Sequence, residues 1–249
     1  MEIVTALAAS RLVAQQRVME VTANNIANAN TPGYRSQRIQ FSDVINRQTA
    51  LTRNAPSGDR TIVYTQDRAT WRETQAGSLT RTGNSFDLAL TSDGYFTVNT
   101  NNGPRLTRSG RFGLMPDGTL ADSAGNAVLN TSGQPILISP NDTKISIAAD
   151  GSVSSENGQI GKIGIVRPSD PMKLSAEGTT NFVSNAATAP VATPGIVQGA
   201  IEESNVQPVM EVTRMLDDSR QFQLVTQFVQ AEADRHQNAI ERLLPQGGG

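Results

Sequence analysis

The residue types that could carry chemistry are few here, and their spacing assembles no reactive centre. His236 is the only histidine, and it falls within a long helical pattern. A metal triad or an activated hydroxyl needs partners that a single helical imidazole does not have. Cysteine is absent, which removes disulfides, zinc–thiolate sites and thiol nucleophiles together. No Gly-x-Ser-x-Gly elbow occurs. Gly158-Gln159-Ile160-Gly161-Lys162-Ile163-Gly164 is glycine-rich, but its spacing fits neither a phosphate loop nor a dinucleotide fingerprint. Asp217 and Asp218 adjoin on a helix and point apart. The stretch from Asp117 to Asp122 lacks the ligand spacing of a calcium loop. The expectation is a protein that is no enzyme and uses no metal or cofactor.

Composition narrows the class further. The chain has 249 residues, 37% of them hydrophobic but only 4% aromatic, enough for a core and poor for an aromatic-lined ligand pocket. Net charge is −2, and binding nucleic acid requires clustered cations to neutralise phosphates. Tyr34, Phe41, Tyr64 and Trp71 lie near arginines, but their irregular spacing suits packing in a connector better than base stacking. No nucleic-acid partner is expected. No apolar run approaches the ~20 residues of a membrane span, and residues 1–21 have no uninterrupted apolar signal segment. Charge is unevenly placed: residues 1–50 carry five Arg against three acidic residues, and residues 201–249 carry four Arg against eight. Opposite signs favour pairing of the two ends, though exposed pairs contribute only ~0–1 kcal/mol each.

Two long helices must organise whatever the chain does. Helical periodicity runs from residue 3 to about 27, roughly 40 Å at 1.5 Å per residue, and meets Asn24, Asn25, Asn28 and Asn30. Asparagine competes with the backbone for hydrogen bonds and suits a helix end. Thr31-Pro32-Gly33 then stops the helix, with Gly33 supplying the positive φ of a type II turn. On that ground alone, asparagine should replace Gly33 better than alanine does. A second helix opens after Ser204 or Asn205 as cap and runs to residue 243 without Gly or further Pro after Pro208. Along it Met215, Phe222, Val229, His236 and Leu243 recur every seven residues, with Val212, Val225 and Ala239 between them. This is the seam of a coiled coil or bundle.

Between the helices the period changes. Residues 36–75 read as a polar connector, with brief helix over 37–46, a break at 53–59 and one strand at 61–65. From Gly77 onward, alternating runs such as Phe86-Asp87-Leu88-Ala89-Leu90 are separated by Asp93-Gly94, Asn102-Gly103, Asp117-Gly118, Asp150-Gly151 and Asn157-Gly158. Such dipeptides supply the positive φ of tight hairpins, so short strands including 135–138, 144–148 and 160–166 are expected in an antiparallel array. The fold class is α+β: a discontinuous helical pair with an inserted, mainly antiparallel β domain. The divisions are 1–35 with 200–245 for the terminal helical domain, 36–75 for the connector, 76–185 for the β domain and 186–199 for an Ala/Thr/Pro-rich return linker.

The residues Ala23-Asn24-Asn25-Ile26-Ala27-Asn28-Ala29-Asn30-Thr31-Pro32-Gly33-Tyr34 resemble the N-terminal signature of the bacterial flagellar rod and hook family. Ser204-Asn205-Val206-Gln207-Pro208-Val209, with Thr213, Met215, Leu216, Arg220 and Phe222, resembles its C-terminal signature. Phe86-Asp87-Leu88, Gly94-Tyr95-Phe96-Thr97-Val98 and Leu106-Thr107-Arg108-Ser109-Gly110-Arg111-Phe112 resemble its central block, as do Asp117-Gly118-Thr119-Leu120 and residues 145–151. The likeness covers all but 40–70 and 185–198. It implies a structural subunit of the basal-body rod, of the short proximal kind, polymerising into a tube that transmits torque and encloses an export lumen. Distal-rod and hook-type roles in the same family are the alternatives, and a secreted adhesin-like β module with a helical stalk is the alternative from another class. Implied partners are copies of itself, other rod proteins and the flagellar export apparatus. The implied location is the basal-body rod within the periplasm, reached without a cleaved signal. Implied subunit-packing residues are Asn24, Asn25, Asn28, Asn30, Pro32, Gly33, Tyr34, Ser204, Asn205, Val212, Met215, Phe222, Val225 and Val229.

Overall fold

The computed structural model describes residues 2–48 and 60–243, with side chains described at 7–40, 70–239 and 241. The break at 53–59, the side chains of Phe41 and Tyr64, and that of Leu243 lie outside the described residues.

In chain order the elements begin with α1 (Glu2–Ala27), β1 (Gln37–Gln48) and β2 (Arg60–Arg72). Then follow β3 (Leu79–Arg81), β4 (Leu88–Leu90), β5 (Tyr95–Thr100), β6 (Gly103–Thr107), β7 (Phe112–Leu114), β8 (Leu120–Asp122) and β9 (Ala127–Val128). Next come β10 (Ser146–Ile147), β11 (Ser152–Ser155), β12 (Gly158–Lys162), β13 (Ile165–Pro168), β14 (Leu174–Glu177) and β15 (Asn181–Ser184). The chain closes with β16 (Thr188–Pro190), β17 (Ile196–Gln198), β18 (Ala200–Glu202) and α2 (Pro208–Leu243). Two long helices flanking a mainly antiparallel β region make this an α+β protein.

The chain divides into two compact units. One gathers the described residues of Met1–Ile26, Gln37–Trp71 and Pro208–Gly249; the other gathers Ala27–Ser36 and Arg72–Gln207. In the second unit the main sheet runs β14-β15-β6-β5-β9-β8-β7, with β13 joining β5 and β16 joining β13. Leu88, Leu90, Phe96, Val98, Phe112, Leu120, Val128, Ile163 and Ile196 fill one apolar core. Phe96 and Phe112 meet edge to face at 5.2 Å between ring centres, a favoured aromatic geometry. Gly110 is required by close approach: a Cβ there would lie 1.6 Å from the Leu88 carbonyl oxygen.

Several expectations are corrected. Residues 37–46, read as brief helix, belong to β1, which pairs with β2. A pairing partner 20-odd residues downstream outweighs a weak local helical preference. Residues 135–138 form only isolated bridges, Leu129 with Pro135 and Thr119 with Leu137. Proline has no N–H to give a ladder. The 186–199 segment carries β16 and β17; β17 pairs Ile196 with Leu90 and Gln198 with Leu88. Residues 27–35 and 200–207 group with the β unit rather than with the helices. The reason is β18, which pairs Ala200 with Arg81 and Glu202 with Leu79.

Candidate assembly site

Within the helical unit, α1 and α2 form a shallow, largely apolar groove of about 820 Å³, lined on one wall by Leu7, Ala14 and Val18 and on the other by Leu224, Val225 and Phe228. Gln15 Nε2 donates to Gln221 Oε1 across it at 3.3 Å. Along α2 the half-buried positions are Asp218, Ser219, Phe222, Val225, Val229, Glu232 and His236. Apart from Ser219 they step alternately by four and three, the spacing of a coiled-coil seam. Other large apolar groups on α2 stay open: Val209 is 78% exposed, Leu224 66%, Leu216 55% and Phe228 49%. Val212 and Met215 are exposed too, so the seam face narrows at the start of α2.

The same unit contains a buried polar latch. Asn25 Nδ2 donates to the Gln37 carbonyl at 3.0 Å, and the Gln37 N–H donates to Asn25 Oδ1 at 2.8 Å. The side-chain amide thus copies a strand's two backbone bonds and fixes where β1 begins. Asn25 Nδ2 also approaches Glu211 Oε2 at 3.4 Å. Glu211 is 2% exposed and accepts from Arg38 Nη1 and Arg214 Nη1, each at 2.8 Å.

The β unit holds a second joint, where the two end signatures meet. Gly33 has φ +69°, and its N–H donates to the Glu202 carbonyl at 2.8 Å. The Tyr34 carbonyl accepts from the Asn205 N–H, and the Ser36 N–H donates to Asn205 Oδ1 at 2.7 Å. Asn205 Nδ2 reaches the Gln75 carbonyl at 3.0 Å. Tyr34 is fully buried beneath the Arg72 guanidinium, 4.6 Å from the ring centre. Arg72 Nη1 in turn donates to the Arg35 carbonyl at 2.7 Å.

Glu202 is the hub of that joint. Its carboxylate, 1% exposed, takes Arg35 Nη2 at 2.6 Å on one oxygen and Arg108 at 2.8 and 2.9 Å on the other. Arg108 Nη1 is completed by the Ser92 and Gly94 carbonyls. Arg35 has its pKa lowered, chiefly by burial, with Glu202 opposing and Arg108 adding to the shift. Removing one member of such a buried set leaves an uncompensated charge, at a cost of about 3–5 kcal/mol.

These contacts sort the expected packing residues. Asn25, Gly33 and Tyr34 are buried inside the chain and make internal joints. Asn205 serves the same joint. Its amide is spent on the other signature rather than on opening α2, and Ser204 Oγ accepts from the nearby Val206 N–H at 3.2 Å. Asn28 holds the turn, receiving Thr31 through both its carbonyl and its side chain. Asn24 and Asn30 are exposed and Pro32 half-buried. Val212, Met215, Phe222, Val225 and Val229 all lie on α2, at least partly open. Glu202, Arg35, Arg108 and Glu211 were not singled out from the sequence as site residues. The usable signal was charge placed inside or beside motif blocks that otherwise consist of turn and core residues. Among the described residues no group of three His, Cys, Asp or Glu could hold a metal, and no helix is long and apolar enough to cross a membrane.

Comparison with known proteins covers nearly the whole chain. A family described as "Flagella basal body rod protein" matches residues 7–35, the "Flagellar hook protein FlgE/F/G D1 domain" matches 89–155, and the "Flagellar basal body rod FlgEFG protein C-terminal" matches 197–242. The chain is 34% identical over 236 residues to the flagellar basal-body rod protein FlgF of Caulobacter vibrioides, covering 94% of this chain and 95% of that one. It is 32% identical over 240 residues to FlgF of Mesorhizobium japonicum, covering 95% and 96%. It is 31% identical over 231 residues to the rod protein FlgG of Bacillus subtilis, covering 84% and 86%. The first and last matched spans contain the residues of both buried joints, Asn25 with Glu211 and Arg35 with Glu202.

Proposed function

The chain belongs to the flagellar basal-body rod protein family, as a FlgF-like structural subunit, and from that premise we propose that it builds the proximal rod through the open faces of α1 and α2. The observation that carries this is the apolar surface left on α2, where Val209, Leu216, Leu224 and Phe228 are each about half or more exposed. Contiguous apolar surface on a long helix is a docking surface for another helix. Head-to-tail contacts that do not close into a ring generate a helical filament. In such a tube the helices would line the axis and transmit torque around an export lumen.

The remaining parts of the reading extend that family membership. The chain acts without catalysis and without nucleic acid, meets copies of itself and other rod proteins, and leaves through the flagellar export apparatus uncleaved to stand in the periplasm. FlgG relatives match over nearly the same span, which makes the distal rod the competing position. Labelling the chain in purified hook–basal bodies and reading its axial level separates the two.

The assembly surface is tested by Phe228→Asp. Phe228 is 49% exposed, so the isolated subunit should keep its melting temperature, while basal bodies lose the subunit and cells stop swimming. Normal motility with Asp at this position would reject the α2 face as an assembly surface.

A further inference from the structure

The β unit contains a cleft of about 420 Å³ that the rod reading does not use and that shares Arg35 and Arg108 with the buried joint. Arg35, Arg108, Tyr95 and Arg167 line it, together with Asp93. Arg35 has a side chain only 5% exposed, yet it spends a single nitrogen, Nη2, on Glu202. Its Nε and Nη1 are buried and have no hydrogen-bond partner. Buried guanidinium N–H groups without acceptors are rare, because each forfeits its hydration without replacement. Arg167 is exposed at the rim and makes no ion pair among the described residues.

The charge count defines the ligand. Arg35 and Arg108 share the Glu202 carboxylate, and the lining adds Arg167 and Asp93, so these five groups together carry one net positive charge. A single negative charge completes the set, and a dianion would overshoot it. Tyr95 adds a donor: burial raises its phenol pKa, so the hydroxyl stays protonated. A planar monoanion with two acceptor oxygens matches guanidinium groups best.

We propose that this cleft is a carboxylate-binding site, with Arg35 as its inner wall and Arg167 at its mouth. The carboxylate has two sources, a free small acid or an acidic side chain of an adjoining subunit. Neither source requires the assembled rod for detection, so the test stands apart from the rod reading.

The test uses the purified full-length chain, with arginine side-chain N–H signals followed by NMR at constant ionic strength. Titration with sodium acetate should shift the Arg35 Nε–H resonance to saturation, and sodium chloride should not. Arg167→Gln, a rim change away from the buried hub, should weaken the acetate response at least threefold. A peptide of residues 230–243, which carries Glu232, Asp234 and Glu241, supplies the second source. Saturation by the peptide at tenfold lower concentration than acetate assigns the site to a neighbouring subunit, and the reverse order assigns it to a free acid. No saturable shift with either probe, an equal shift with chloride, or unchanged affinity in Arg167→Gln would each overturn the proposal.

Discussion

The β unit and the helical unit treat apolar surface in opposite ways. In the β unit Leu88, Phe96, Val98, Leu120 and Val128 are all closed to solvent, and each strand pairs with another strand of the same unit. In the helical unit α1 and α2 line a shallow groove whose wall residues Leu7, Leu224 and Phe228 stay open, as do Val13 and Leu216. A fully buried Leu or Phe is stabilised by about 1.5–3 kcal/mol relative to an exposed one, and α2 gains much of that only from an outside partner. The first unit closes its apolar surface within itself, and the second leaves much of it uncovered. Both hold a buried carboxylate, Glu202 in one and Glu211 in the other, but only the former sits within a closed apolar frame.

The largest expected effects lie in the β unit. Phe96→Ala should destabilise the isolated chain by about 3–5 kcal/mol, through lost transfer energy and the cavity left beside Phe112. Glu202→Gln should cost about the same, because Arg35 and Arg108 would then share a buried site without a counter-charge. Urea unfolding of each variant measures both. A loss below about 1 kcal/mol for either would erase the contrast between a closed β unit and an open helical one.

Gly33 sharpens the point at the joint. Positive φ alone predicts that asparagine is tolerated there better than alanine. The structure removes that distinction, since any Cβ at Gly33 would lie 2.3 Å from the Ser109 backbone nitrogen and 2.4 Å from the Arg108 carbonyl carbon. Gly33→Asn and Gly33→Ala should both lower stability by more than the ~1 kcal/mol of backbone strain alone. A well-tolerated Gly33→Asn would show that the close approach to strand-flanking residues 108–109 relaxes at little cost.

Leu224→Ser probes the opposite end of the contrast. Leu224 is 66% exposed, so the change should move monomer stability by no more than about 0.5 kcal/mol while impairing incorporation into the rod. Hydrogen exchange on the monomer supplies the companion measurement: amides of α2 should exchange faster than those of Phe96 and Val98. Equal protection in both would mean that α2 is stabilised within the chain after all.

The smallest effect concerns acid stability of one loop. Glu156 accepts from the Thr143 N–H and hydroxyl, each at 2.8 Å, and from the Lys144 N–H at 3.0 Å. These bonds, the Thr143 backbone bond foremost, lower its pKa from 4.5 to about 2. A folded-state pKa below the unfolded one means that the contribution is full above about pH 4.5 and disappears as pH falls toward 2. Glu156→Gln should flatten the stability–pH curve in that window and nowhere else. An unchanged slope between pH 4.5 and 2 would show that the loop bonds are not kept in solution.

The sequence by itself determined the elements with strong periodicity and the residues that end them. Uninterrupted helical patterns give α1 and α2, glycine-containing dipeptides give the hairpins, and Thr31-Pro32-Gly33 gives the turn after α1, because each rests on local sterics and spacing. The heptad positions Phe222, Val225 and Val229 are half-buried along α2. Local pattern failed where pairing decided: residues 37–46 became a strand and 186–199 became part of the β unit, since both found partners far along the chain. Only the tertiary structure gives Asn25, Gly33, Tyr34 and Asn205 their partners within the chain. Their partners, Glu211, Glu202 and Ser36, stand up to 186 residues away. A side chain's burial and partner depend on which segments meet, and the register of β18 on β3, which brings Glu202 beside Arg35 and Arg108, is a long-range fact that no local spacing encodes.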